Sequence, residues 1–345
     1  MTKVVLDAFG GDHSPVEIVK GAVMALNLYD DLKITLTGDK ERLEELLTGE
    51  YEQIRDRIEI IDAKEIILNE EAPTVAIRTK RDSSLVKAFD EVRTNEEVAG
   101  FVGAGSTGAV LTGAFLKLGR IKGISRPALC PILPTVNGSQ VAIIDCGANM
   151  DAKPINLVHF ALMGTAYLKS VFGVENPRVA LLNVGVEEHK GNELSKEAFE
   201  LLSKLEGINF VGNMEARELL SGDYDLVVTD GFAGNVLLKS TEGSILSVLN
   251  MLKAEIMDGV MSKIGALFMK RVFKNLKAKL DYSKHGGAVL LGCKKLIVKS
   301  HGSSKAESIC ASIKQVIDMD KANLVNLIAE YVEKYDIEPE AKVEE

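Results

Sequence analysis

Five times in this chain an apolar run stops at a small, polar, glycine-rich corner and a helical pattern begins. The corners are Asp7-Ala8-Phe9-Gly10-Gly11-Asp12, Gly103-Ala104-Gly105-Ser106-Thr107-Gly108, Asp145-Cys146-Gly147-Ala148-Asn149, Asp230-Gly231-Phe232-Ala233-Gly234-Asn235 and Ser300-His301-Gly302-Ser303-Ser304. Each reads as the carboxyl end of a buried strand turning into a helix. Repetition of that unit leaves little choice of architecture: a mostly parallel sheet with helices on both faces. Glycine lets the backbone approach a ligand closely. A helix start offers free N–H groups and the positive end of a dipole. Several such corners side by side predict an anion site, most naturally for phosphate.

The first third alternates cleanly. Strand patterns at residues 4–6, 34–37, 58–61 and 100–102 are separated by helical patterns near 15–28, 40–47, 73–92 and 106–118. Further strands are expected at 141–144, 179–183, 210–212 and 226–229. One of the longest helical patterns, with few breakers, runs from 236 to 280 and reads as two helices that project or pair. No fixed-period repeat and no Ser/Pro/Gly linker divides the chain. The expectation is one composite α/β domain over 1–333 with two lobes, a helical projection at about 236–282, and a solvated, disordered acidic tail at 334–345.

Charge is unevenly spread. Residues 261–305 hold eleven Lys or Arg and one acid, Asp281, a local charge of +10, while the whole chain of 345 residues carries −9. The rest is therefore −19. A basic belt on an acidic protein suggests an anionic partner or surface. Nucleic acid is disfavoured, because the belt has few aromatics to stack bases. Its apolar positions, among them Ile264, Leu267 and Phe268, interleave with Arg271, Lys274 and Lys277 in an amphipathic pattern. Such a face suits anionic lipid or an acidic partner helix about as well as it suits a dimer or core helix with a solvated charged face, and both can hold at once. No signal peptide is expected, since Met1-Thr2-Lys3 runs straight into Val4-Val5-Leu6. No apolar run is expected to span a bilayer. Cys130, Cys146, Cys293 and Cys310 lack paired or metal-like spacing, so they read as reduced, cytoplasmic thiols.

Gly103 to Gly108 fits G-x-G-x-x-G, the dinucleotide fingerprint. The ribose-binding acid expected about 20 residues on is missing; no Asp or Glu occurs between Val98 and Ile144. A simple anion corner fits better, with an NADP dehydrogenase as a distant alternative. Asp145 and Asp230 each end a strand and precede Gly and then Asn149 or Asn235. Taken singly each is a helix or loop cap; taken together they suggest a shared pocket. Lys190 follows a strand and a glycine turn, where a lysine can be a point charge on phosphate or simply a solvated loop residue. Cys146 has no histidine partner at a recognisable spacing and reads as a small buried residue. No cluster has metal-ligand spacing.

Taken together, these stretches resemble the bacterial acyl-carrier-protein:phosphate acyltransferase family (PlsX) from Val4 to about Ile328. The most specific matches are Leu6-Asp7-Ala8-Phe9-Gly10-Gly11-Asp12-His13-Ser14-Pro15, Arg126-Pro127-Ala128-Leu129, Asp145-Cys146-Gly147-Ala148-Asn149, Pro177-Arg178-Val179-Ala180-Leu181-Leu182-Asn183-Val184-Gly185, Asp230-Gly231-Phe232-Ala233-Gly234-Asn235-Val236 and Lys299-Ser300-His301-Gly302. The resemblance implies a Rossmann-like three-layer α/β/α fold akin to isocitrate and isopropylmalate dehydrogenases and phosphotransacetylases. It also implies a homodimer, a cytoplasmic enzyme peripherally bound to the membrane, and no metal, nucleotide or other cofactor. The family's proposed active-site lysine falls on Lys190 and its motif asparagine on Asn235. One departure is Ser106, where the family usually has Asn.

The implied reaction moves a fatty acyl group from the carrier-protein thioester to inorganic phosphate, for phospholipid synthesis. A membrane acyltransferase would use the acyl phosphate. Phosphate is already a charged nucleophile and the thiol leaves readily, so positioning and oxyanion stabilisation are what remain to be supplied. Lys190 and Asn235 are the expected catalytic residues. Asp7, Gly10, Gly11, Asp12, Gly105, Ser106, Thr107, Asp145, Asn149, Asp230, Gly231 and His301 are expected to bind substrate or to fix the loops that do. The rivals are a phosphotransacetylase using a CoA thioester and a non-catalytic membrane-bound scaffold.

Overall fold

The run Val4-Val5-Leu6 is fully buried and has no polar side to offer solvent. Such a run can only be a strand covered on both faces. In the computed structural model, which describes residues 1–280 and 286–335, it is one. Val4 and Leu6 pack with the helices Val16–Leu28 and Ala306–Lys321. Val5 points the other way, to the helices Ser84–Thr94 and Thr107–Gly113.

The strands in chain order are β1 (Thr2–Asp7), β2 (Leu32–Gly38), β3 (Ile58–Asp62), β4 (Val98–Gly103), β5 (Ala128–Cys130), β6 (Ile132–Pro134), β7 (Gln140–Ile144), β8 (Arg178–Asn183), β9 (Asn209–Glu215), β10 (Leu226–Val228), β11 (Ala288–Leu291) and β12 (Leu296–Lys299). They form two sheets. The larger has the order β3-β2-β1-β4-β12-β11-β5, the smaller β6-β7-β10-β8-β9. The pairs from β3 to β12 are parallel, and so are those from β7 to β9. Strands β11 and β5 close the first sheet antiparallel, and β6 pairs antiparallel with β7.

The two sheets share one stretch of chain. Strands β5 and β6 are separated only by Pro131, whose carbonyl accepts from the Ile143 N–H at 3.1 Å. The Cys146 N–H donates to the Leu129 carbonyl at 2.9 Å. The carboxyl ends of β1, β4 and β12 in one sheet and of β7 and β10 in the other consequently open toward a common cleft.

The α/β expectation holds, with three differences. The 73–92 pattern is two helices, Pro73–Thr79 and Ser84–Thr94. Ser83 starts the second, its Oγ accepting from the Val86 N–H at 3.4 Å. The 236–280 pattern is three helices, Gly231–Asp258, Val260–Phe268 and Lys270–Leu280, with the first break at Gly259. The Pro154–Phe172 helix is long and apolar enough to cross a membrane, with mean hydropathy 1.2. It is mostly buried between sheet and helices, which accounts for its composition as that of a core element. Residues 281–282 of the expected projection and 336–345 of the expected tail lie outside the described residues.

Candidate active site

Three corners of the first sheet touch one another. A Cβ on Gly10 would lie 2.6 Å from Asp7 Oδ2 and 2.8 Å from the Gly105 nitrogen. Gly11, at φ +104°, faces Ala104 and the Gly302 carbonyl, and the Asp12 N–H donates to that carbonyl at 2.8 Å. Glycine is required at both positions, for contact distance at Gly10 and for conformation at Gly11. Asp7 is buried under this contact and accepts from the Phe9 N–H at 3.3 Å. Burial raises its pKa, against hydrogen bonds from Ser84, Phe9 and Gly10 and the charge of Lys299. Ser106 caps the next helix, accepting from the Ala109 N–H at 3.5 Å.

The second sheet's corners interlock around Asp145. Its fully buried carboxylate accepts from Leu129 N at 2.9 Å, Ala148 N at 3.1 Å, Asn149 N at 2.7 Å and Asn149 Nδ2 at 2.9 Å. Those four donors use the acceptor capacity of a carboxylate. Asp145 is thus spent on holding the loop, and Asn149, whose amide also donates to the Pro127 carbonyl at 2.8 Å, is spent with it. Asp230 caps the Gly231–Asp258 helix, accepting from Phe232 N at 2.9 Å and Ala233 N at 2.8 Å. Gly231 and Gly234 let that helix start pack directly on the Asp145 loop, since a Cβ on Gly234 would sit 1.9 Å from the Asp145 carbonyl.

Between the two groups lies a cavity of about 150 Å³. The first lobe contributes Thr107, Lys299, Ser300 and His301; the second contributes Cys146, Asn235, Lys239 and Glu242. Strand residues Leu129 and Pro131 to Leu133 form part of its wall. The Asn235 Nδ2 donates to the Cys146 carbonyl at 3.3 Å. The exposed His301 accepts from the Ser303 N–H through Nδ1, at 3.2 Å. Burial pushes the Cys146 thiol well above its ordinary range, so it has little thiolate to attack with. Burial also raises the Glu242 pKa, with His301 and Lys239 opposing. No group of three metal-ligating side chains occurs among the described residues.

Of the expected site residues, the cavity wall therefore includes Thr107, Asn235 and His301. Asp7, Gly10, Gly11, Asp12 and Gly105 stand behind it, and Asp145, Asn149, Asp230 and Gly231 brace it. Lys190 is not brought there. It lies exposed on the loop after β8, where its carbonyl accepts from Asn183 Nδ2 at 3.1 Å. Lys239 and Lys299 were not among the expected site residues. Lys299 was readable as the last residue of an apolar strand just before a corner. Lys239 lies one helical turn after Asn235, a spacing that puts the two on one face.

The family model described as "Fatty acid synthesis protein" matches residues 2–327. A phosphate acyltransferase of Clostridium tetani is 46% identical over 95% of this chain and 97% of its own length. That of Bacillus subtilis is 45% identical over 96% and 98%. The chain belongs to the phosphate acyltransferase family. It is an acyltransferase, which sets aside the scaffold and dehydrogenase readings. A branched-chain phosphotransacylase of Enterococcus faecalis superposes with a TM-score of 0.58 at 14% identity, covering 93% of this chain and 99% of that one. A phosphotransacetylase of Streptococcus pyogenes gives 0.55 at 18%, covering 96% and 94%. These two share the fold.

Proposed function

We propose that this enzyme transfers a fatty acyl group from an acyl-carrier-protein thioester to inorganic phosphate, giving an acyl phosphate for phospholipid synthesis. The observation that carries the reading is the cavity itself, a small cationic enclosure between glycine corners in a phosphate acyltransferase. A phosphate oxygen attacks the thioester carbonyl carbon, the carbon–sulfur bond breaks, and the carrier thiolate leaves and takes up a proton. The thiol's ordinary pKa of ~8.5 makes it a good leaving group. Asn235 is placed to orient the thioester carbonyl, and Lys190 is assigned to charge on phosphate or on the oxyanion.

The donor is tested by carrier-thiol release from a long-chain acyl carrier protein, with and without phosphate. Phosphate-dependent release with equal hydroxylamine-sensitive acyl phosphate supports it; preference for acetyl-CoA supports the phosphotransacetylase reading. Lys190→Ala should cut kcat/KM strongly and leave the fold intact, because the residue is exposed. Near-wild-type turnover would remove Lys190 from the mechanism.

The reading extends to a cytoplasmic homodimer lying on the inner face of the cell membrane. Its support is the Val260–Phe268 helix, where Met261, Ile264, Leu267 and Phe268 are all exposed, Phe268 by 85%. Such a stripe beside Arg271 and Lys274 suits an anionic lipid surface; acidic carrier protein could be steered by the same cations. Lys277 is in the next helix, and its side chain lies outside the described residues. Phe268→Asp should lower liposome flotation, and Arg271→Glu with Lys274→Glu should raise the carrier-protein KM if steering is their role.

A further inference from the structure

Lys299 is 7% exposed at the end of β12, yet it forms no ion pair among the described residues. Its Nζ donates to the Ser300 carbonyl and, at 3.5 Å, to the Ala104 carbonyl. Both acceptors are neutral, and an ammonium has three donors. The exposed Lys239 lines the same cavity from the Gly231–Asp258 helix, and it too has no ion pair among the described residues. Burial pulls the Lys299 pKa down to about 8, with Asp12 and Asp7 opposing and Lys239 adding to the fall. A buried cation left without a contacting counter-ion is costly, and it persists where something else supplies the charge.

The remaining ionisable groups on the cavity wall point the same way. His301 comes from the first lobe and Glu242 from the second. Burial raises the Glu242 pKa, the direction in which an adjoining anion would also push it. The hydroxyl residues Thr107 and Ser304 line the same space. At about 150 Å³ the cavity is well below the size that drug-like ligands fill, and suits a small ion.

We propose that Lys299 and Lys239 form a two-lysine clamp that holds the inorganic phosphate beside Asn235. The clamp matches the dianion's charge and places the nucleophile where the two lobes meet. It takes the phosphate role from Lys190, which lies outside the cavity, and leaves that residue the oxyanion role of the two assigned above. This assignment rests on the phosphate-dependent reading above.

The test compares wild type, Lys299→Met and Lys239→Met. Phosphate and carrier-protein KM are measured separately, and inorganic phosphate binding is measured by calorimetry without the acyl donor. The clamp predicts that Lys299→Met raises the phosphate KM roughly 30-fold or more, the factor expected when one buried charged contact is lost, and that Lys239→Met, at an exposed residue, raises it about threefold or more. The acyl-donor KM should stay within about threefold, and calorimetric binding should weaken in parallel. A wild type that neither binds phosphate nor releases thiol in response to it overturns the functional reading as a whole. A wild type that does both, alongside variants with unchanged phosphate affinity, overturns the clamp alone. Should Lys299→Met fail to fold, Lys239→Met decides, because Lys239 is an exposed residue on the Gly231–Asp258 helix.

Discussion

Replacing Lys299 with Met should make the ligand-free protein more stable at neutral pH. The lysine's ordinary value of 10.5 falls to about 8 in the folded chain. That gap corresponds to about 3 kcal/mol of charge-burial cost. The sign follows from proton counting. Between pH 8 and 10.5 the unfolded chain binds more protons at this site than the folded one, so wild-type stability rises with pH there. The cost is fully present below pH 8 and falls to about 1 kcal/mol by pH 10. Met keeps the apolar stem and removes the charge. It also leaves the Ser300 carbonyl without its donor, which costs about 1 kcal/mol. The net gain at pH 7 is then about 1–2 kcal/mol, and it vanishes near pH 10. Urea denaturation of both proteins at pH 7, 8.5 and 10, without phosphate, measures it directly. A variant less stable than wild type at pH 7, or an advantage that does not shrink as pH rises, would refute the reasoning. The gain in stability should accompany a loss of function, as expected where a site is held in a costly state for its ligand.

Gly10→Ala places a methyl against Asp7 Oδ2 and the Gly105 backbone; it should cost about 1–3 kcal/mol and depress kcat/KM, read by urea melts and steady-state kinetics. Asp145→Ala strips four donors of their acceptor and should cost about 2–4 kcal/mol in the same melts, more than Asp230→Ala, whose loss of a helix cap should cost about 1 kcal/mol. The four cysteines are buried and each thiol is pushed up by burial. Iodoacetamide should therefore leave native activity intact and label them only after denaturation.

Much of this architecture was legible because it is local. A run such as Val4-Val5-Leu6 followed by glycine declares a strand and its end without reference to anything distant. The helix caps Ser106 and Asp230 are likewise written next to the helices they start. What could not be read is what depends on remote pairing. Strands β5, β6 and β11 are three or four residues long and antiparallel, too short for a period to show, and they exist because β7 and β12 lie ready to pair with them. The break between Thr79 and Ser84 hid in the polar run Arg78-Thr79-Lys80-Arg81-Asp82-Ser83-Ser84, which contains no glycine or proline and reads equally well as the solvent face of one helix. Lys299 illustrates the same limit at the site. A lysine ending an apolar run reads as a solvated strand terminus, and its burial follows only from corners nearly 200 and 300 residues away in sequence.

The shared segment 128–134 gives the two halves of the molecule a mechanical relationship. It is a wall of the cavity and belongs to both sheets at once, so a rotation of one sheet against the other is felt in it directly. Pro131 sits at the crossover and has no N–H to donate, so no ladder bond from that nitrogen is broken when the angle changes. The Pro131–Ile143 bond ties the crossover itself to β7, and the Leu129–Cys146 bond ties the segment before it to the loop that follows β7. The candidate cavity thus has one wall common to both sheets, and a turn of one lobe against the other would also change the space between Asn235 and Lys299.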